Sequence, residues 1–324
     1  MKMSLLRIGH ARLIATELAA LLMIALPMLR AAETPEIAAG SPLIYKQAEG
    51  CDLKLFVEKP AGWKPGGQRP AIVFFFGGGW VGGTPNQFLK ESQYFARRGM
   101  VGIRVEYRTI PKGDPGPPMV CCEDAKSAMR YVRSHAVELG IDPRRIAAAG
   151  GSAGGHLAAF TGLVIGMDDP HDDLAVSCKP EALVLWNPVF NNGPGNYGYE
   201  RLGGRYREFS PADNITSNAP PAIVFFGTQD KHVSVATAKA FQAEMEHCGV
   251  RCESNFYEGQ AHGFFNKEPW LSKTLAAADQ FLTSLGWLDK TTGKFISSKQ
   301  KSGDLKNESC VASDAVAIPN KSHN

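Results

Sequence analysis

Ser152, Asp230 and His262 have the types, order and settings for covalent acyl chemistry. Ser152 lies in Gly150-Gly151-Ser152-Ala153-Gly154, after a short apolar run at 146–149 and before an apolar segment of helical character. Gly-x-Ser-x-Gly between a strand and a helix is a nucleophile elbow: the chain reverses around one serine, and only small neighbours leave its Oγ in the open. A helix N-terminus beneath it favours developing negative charge. A serine nucleophile needs a base, and the base needs an orienting group. Asp230 follows the apolar run 222–226, and His262 follows the run 252–257. In the roles this order suggests, Ser152 attacks an acyl carbon, His262 carries the proton, and Asp230 holds the imidazole tautomer. Backbone N–H groups must meet the charge that develops on the acyl oxygen. The glycines at 77–79 and the amide that follows Ser152 supply them, so Gly78, Gly79 and Ala153 form the expected oxyanion hole.

Those residues need a scaffold that presents strand ends. The continuous apolar run at 71–76 reads as a central strand covered on both faces, and 101–107, 146–149, 182–190 and 222–226 read as further strands of the same sheet. Residues 51–57 alternate polar and apolar, as an edge strand would, and 252–257 reads as a further strand. Helices are expected at 86–98, 123–139, 235–247 and 270–285, the second capped by Gly140. Strands alternating with helices imply an α/β fold, a mostly parallel central sheet with helices on both faces. In such sheets, functional groups gather at the carboxyl ends of the strands.

At 324 residues the chain has room for one large α/β domain, expected at 41–288. Residues 1–31 read as a signal peptide: Lys2, Arg7 and Arg12 come first, then an apolar run at 18–29 interrupted by Pro27. Export to the periplasm or the extracellular space is the expectation. This segment sets Lys2, Arg7, Arg12 and Arg30 against Glu17, which accounts for the whole net charge of +3. The rest is near neutral and carries no basic stripe, so no nucleic-acid partner is expected. No stable membrane association is expected once the leader is removed. Seven cysteines suit an exported protein without forming a dense disulfide scaffold, and their spacing is not that of zinc ligands. Cys248 with Cys252, or Cys122 with Cys178, could bridge. Residues 289–324 are polar and read as a disordered tail.

The motifs together resemble a known family. Phe76-Gly77-Gly78-Gly79-Trp80, Asp124-Ala125-Lys126-Ser127-Ala128, the elbow with His156-Leu157-Ala158, Asp230, and Gly259-Gln260-Ala261-His262-Gly263-Phe264 are similar to those of α/β-hydrolase-fold serine esterases. The likeness is to the acetyl-esterase, xylan-esterase and hormone-sensitive-lipase-like branch, and it covers residues 53–285. It implies the α/β-hydrolase fold with a small cap, and hydrolysis of carboxylic esters, often short-acyl, without cofactor or metal. One position departs from the pattern: that branch has His-Gly-Gly-Gly where this chain has Phe76. Imidazole can brace the oxyanion loop by hydrogen bonding, whereas phenylalanine only packs.

The segment at 191–221 is where this fold inserts its cap; here it is short and carries Tyr197, Tyr199 and Tyr206. An open cleft follows, in which Trp80, Tyr197 and Tyr199 are candidates to stack on an acetylated or feruloylated sugar. The expected activity is a secreted serine carboxylesterase acting on short-chain or carbohydrate esters through an acyl-enzyme on Ser152. The alternatives are a prolyl-oligopeptidase-like serine peptidase, a lipase of longer acyl chains, and a non-catalytic binding protein on the same fold.

Overall fold

The computed structural model describes residues 42–290. The expected leader at 1–31 and all but the first two residues of the expected tail lie outside the described residues. The sheet is built on strands without a polar face. β3 (Arg69–Phe75), β6 (Ala182–Trp186) and β7 (Ala222–Gly227) are buried almost end to end, as is β5 (Ile141–Gly151) from Ile146 onward. Layers on both faces leave no solvent side, so apolar runs replace alternation. β4 (Val101–Val105) and β8 (Cys252–Tyr257) extend the sheet, and β1 (Leu43–Ala48) and β2 (Cys51–Glu58) form a hairpin at one end. The order is β1-β2-β4-β3-β5-β6-β7-β8. β2 runs antiparallel to both neighbours, and every other pairing is parallel.

Alternate side chains of β3 enter two cores. Ala71, Val73 and Phe75 pack with α2 (Met119–Ser134), α3 (Ala153–Leu163) and α6 (Val235–His247). Ile72 and Phe74 pack on the other side, with α1 (Leu89–Arg97) and α7 (Trp270–Ser284). Two four-residue helices, α4 (Tyr199–Leu202) and α5 (Tyr206–Phe209), lie in the short segment between β6 and β7. This is the architecture expected from the alternating elements.

Boundaries differ where local signals were weak. β2 is not an edge strand, because β1 lies outside it. β1 buries only Tyr45 and leaves its other residues half-buried or exposed, so it carries little hydrophobic pattern. α2 begins at Met119, on an apolar first turn after Pro118, rather than at Glu123, and it stops at Ser134. His135 then leaves the helix, its ring stacked on Tyr131 at 3.9 Å. β6 stops at Trp186 rather than continuing to residue 190, since Asn187 adopts a left-handed φ of 34°.

Candidate active site

β5 delivers Ser152 to the sheet's carboxyl edge, and α3 starts at the next residue. Ser152 has φ 55° and ψ −121°. A non-glycine residue held there costs on the order of 1–3 kcal/mol, so the surroundings must enforce it. They do: Ser152 N donates to Trp186 O at 2.9 Å, and His156 N and Val189 N both donate to Ser152 O. Gly154 allows the tight turn, because a Cβ there would stand 2.0 Å from Phe75 O.

The three predicted residues meet. His262 Nε2 lies 2.8 Å from Ser152 Oγ, and His262 Nδ1 lies 2.7 Å from Asp230 Oδ2. A carboxylate against Nδ1 requires the proton on that nitrogen, which leaves the Nε2 lone pair to accept from the serine hydroxyl. Asp230 is fully buried at its side chain, in the turn after β7. Its Oδ1 accepts from His232 N at 2.8 Å and Val233 N at 3.0 Å. Burial alone would raise its carboxyl pKa. The bond from His262 and those from Val233 and His232 outweigh burial and hold it below its ordinary value. The imidazole's side chain is 21% exposed, open to a substrate on its Nε2 side.

Gly77, Gly78 and Gly79 line the same cleft as Ser152 and His262. Ala153 is buried as the first residue of α3. The Phe76 departure has a structural counterpart. The Tyr107 hydroxyl donates to Phe76 O at 2.6 Å, and the two rings stack at 4.0 Å. The backbone of the glycine loop is thus braced from below by a phenol. From the front, Gln87 Oε1 accepts from Gly77 N at 2.6 Å, and Gln87 Nε2 donates to Asn266 Oδ1 at 3.2 Å.

The cleft holds about 320 Å³, and Val189, Tyr197 and His232 also line it. Tyr197 hangs over the oxyanion loop: a Cβ on Gly79, whose φ is 63°, would lie 2.6 Å from the Tyr197 hydroxyl. Two of the proposed stacking residues are elsewhere. Trp80 is 1% exposed and packs edge-on against His156, supporting Tyr197 from behind. Tyr199 turns to Tyr206 at 6.0 Å and does not reach the cleft. In both cases aromatic type suggested a platform, but packing against α3 took up the Trp80 ring and packing within the cap took up that of Tyr199. A larger hollow, about 700 Å³, lies beside β1 and α2 and includes none of the three residues.

His156 is fully buried and donates from Nε2 to Phe209 O at 2.9 Å. Burial pushes its pKa down to about 4 despite that bond. Neither proposed disulfide is present: Cys122, Cys178, Cys248 and Cys252 are all free thiols. Among the described residues, no group of three or more His, Cys, Asp or Glu side chains is arranged for a metal ion, and no helix is long and apolar enough to cross a membrane.

Asn187, Gln87, Tyr107 and Asn266 were not foreseen. Asn187 follows β6 at the same carboxyl edge as Ser152 and Asp230, but reading that strand through to residue 190 concealed it. Gln87 and Asn266 act across the fold, 179 positions apart, and no local pattern announces such a pair.

The chain is similar to known families, solved structures and curated proteins. The BD-FAE family model matches residues 60–183, and the model of the dienelactone hydrolase family matches residues 197–292. Apo Thermogutta terrifontis esterase 2 superposes with a TM-score of 0.74 at 43% identity, over 79% of this chain and 98% of that one. The same esterase with propionate bound gives a TM-score of 0.73, again at 43% identity and with the same shares covered. Among curated proteins, esterase LipC of Mycobacterium tuberculosis is 28% identical, over 60% of this chain and 53% of its own length. A probable isoprenylcysteine alpha-carbonyl methylesterase of Arabidopsis thaliana is 26% identical, over 60% and 46%. The chain spans about half the length of the curated relatives it matches.

Proposed function

This chain belongs to the α/β-hydrolase-fold serine esterases of the hormone-sensitive-lipase-like branch, and we propose that it hydrolyses short-chain carboxylic esters through an acyl-enzyme on Ser152. The observation that carries this reading is the unbroken chain Asp230–His262–Ser152, with bonds of 2.7 and 2.8 Å, opening on a cleft of about 320 Å³.

Ser152 Oγ attacks the acyl carbon while its proton passes to His262 Nε2. Asp230 stabilises the imidazolium, and the amides of Gly78, Gly79 and Ala153 receive the oxyanion. The leaving alkoxide takes the proton from Nε2. Water then repeats the sequence, with Ser152 as leaving group. Gln87 and Tyr107 keep the glycine amides in place, the part an imidazole plays where the loop begins with histidine.

A small acyl group fits the size of the cleft, with Tyr197 and His232 in its lining. Forms of the Thermogutta esterase carry bound propionate and butyrate, which favours short acyl chains here as well. Tyr197 is the one predicted aromatic that lines the cleft; with Tyr197 on the acyl side, the sugar of an acetylated or feruloylated carbohydrate, which is the alcohol part, would lie toward the opposite side of Ser152. Export rests on the pattern of residues 1–31, and fractionation of cells expressing the chain with and without them tests it.

The deciding experiment is turnover of p-nitrophenyl acetate, butyrate, octanoate and palmitate. The rate should fall beyond butyrate. A rise toward palmitate would sink the short-acyl reading and favour a lipase.

A further inference from the structure

Asn187 is a fully buried carboxamide inside the hydrolytic centre, and the mechanism above gives it no task. Its φ of 34° lies in the left-handed region, which asparagine tolerates better than most residues. Its backbone N–H donates to Phe225 O at 2.7 Å, tying the turn to β7. Its side chain faces two ways. Gly263 N, immediately after His262, is 3.0 Å from Oδ1. Nδ2 is 3.5 Å from His262 Nε2. The orientation of the amide is fixed by chemistry. Gly263 N–H can only donate, so the oxygen must face it, and the NH2 must then face the imidazole.

We propose that Asn187 is a positioning residue for His262: its oxygen pins the histidine loop, and its NH2 biases the proton away from Nε2. The proposal rests on reading Ser152, His262 and Asp230 as the catalytic groups. An N–H aimed at the lone pair of Nε2 favours neutral imidazole. When Ser152 gives its proton to Nε2, two N–H groups face each other across that same gap. The encounter is unfavourable, and it is relieved when the proton moves on to the leaving alkoxide. The O–H bond of serine breaks, an N–H bond forms at Nε2, and that bond then breaks as the O–H of the alcohol forms. Asn187 gives up no atom. Its effect is to make the imidazolium a readier acid, in opposition to Asp230, which stabilises it.

The titratable groups against the imidazole are Asp230 at Nδ1 and His232, with ring centroids 4.9 Å apart, both from the turn after β7. β5 brings Ser152 and the loop after β3 brings only glycines, so Asn187 is the sole contribution of β6 at Nε2 among the described residues.

The test compares pH profiles of kcat/KM for wild type, Asn187→Asp and Asn187→Gly on p-nitrophenyl acetate, with Ser152→Ala in parallel. Asn187→Asp keeps an oxygen for Gly263 N but sets a carboxylate beside Nε2. Its acidic limb should move up by about one pH unit or more, because an opposite charge at that distance favours imidazolium. Asn187→Gly keeps the positive φ without strain and removes the side chain. It should lower kcat roughly tenfold, leave KM within about twofold, and move the limb up by a few tenths of a unit. Folded Asn187→Asp with an unmoved limb overturns the proposal. So does Asn187→Gly with wild-type kcat, which decides the matter if the aspartate variant does not fold. Retained activity in Ser152→Ala would instead overturn the assignment of the site itself, whatever the Asn187 variants do.

Discussion

At the scale of single residues, the distance between Ser152 Oγ and His262 Nε2 matters as much as the identity of either. At 2.8 Å the hydroxyl is already a donor to the base, so proton transfer needs no rearrangement. Ser152→Ala should bring ester turnover close to background, since nucleophile and base act as a unit. A folded Ser152→Ala protein that keeps most of its rate would refute the elbow assignment. The rate should also rise with pH as His262 loses its proton, because only neutral imidazole accepts from serine. Tyr107 carries a prediction that belongs to this chain's own oxyanion loop. Tyr107→Phe leaves the Phe76 carbonyl buried without its partner, at a cost of about 1–3 kcal/mol. It should also lower kcat roughly tenfold, because donors to an oxyanion work only when held in place. An unchanged kcat in the folded variant would mean that Gln87 alone suffices as a brace.

Between elements, the joint to watch is α3 against the cap. His156 on α3 reaches Phe209 at the end of α5, and Trp80 lies edge-on against the same ring. The buried imidazole is neutral, with a pKa lowered by burial to about 4 from an ordinary 6.5. The sign follows from proton binding. As pH falls below 6.5, the unfolded chain takes up a proton that the folded chain refuses, so stability drains between about 6.5 and 4. The loss amounts to roughly 2–3 kcal/mol by the lower limit of that window. Melting temperature should therefore decline from pH 7 to pH 4.5, and His156→Gln should flatten the decline while lowering the temperature at pH 7. Equal slopes for the two proteins would remove His156 from the account. Gly154 makes a second joint, between α3 and β3. Gly154→Ala drives a Cβ into Phe75 O and Phe76 O, which backbone cannot relieve by rotating a side chain. Lost elbow geometry and poor folding should appear together, in circular dichroism and in the ester rate.

For the whole molecule, the relevant fact is that five strand ends supply one cleft. β3 leads into the glycine loop, β5 supplies Ser152, β6 Asn187, β7 Asp230, and β8 leads into the loop with His262. Parallel strands bring these ends together although the residues are far apart in the chain. The cleft holds about 320 Å³, and the cap segment contributes Tyr197 to its lining. Tyr197→Ala should widen the cleft and raise the octanoate-to-acetate rate ratio severalfold, measured on the p-nitrophenyl series. A ratio that does not change would mean that the acyl chain lies elsewhere, and that Tyr197 faces the alcohol.

Much of this was legible in the order of residues. Runs such as 71–76 and 222–226 lack polar positions because they are covered on both faces, so their burial can be read locally. The elbow is likewise recognisable locally, from Gly150 to Gly154, although Trp186 and Val189 hold its strained serine in place. Asp230 could be picked out because it follows a buried strand, and His262 because it follows the next strand, although that one is only part-buried. Tertiary structure alone decided the rest. Tyr107 braces Phe76 across a strand pair, Gln87 reaches Asn266 from 179 positions away, and Asn187 faces His262 from another strand. Trp80 and Tyr199 have the composition of a sugar platform, yet their packing partners turn them from the cleft. Sequence period reports which face of an element is buried. It carries no record of which neighbour a side chain meets, because that depends on strand order and on how loops of several elements close over one edge.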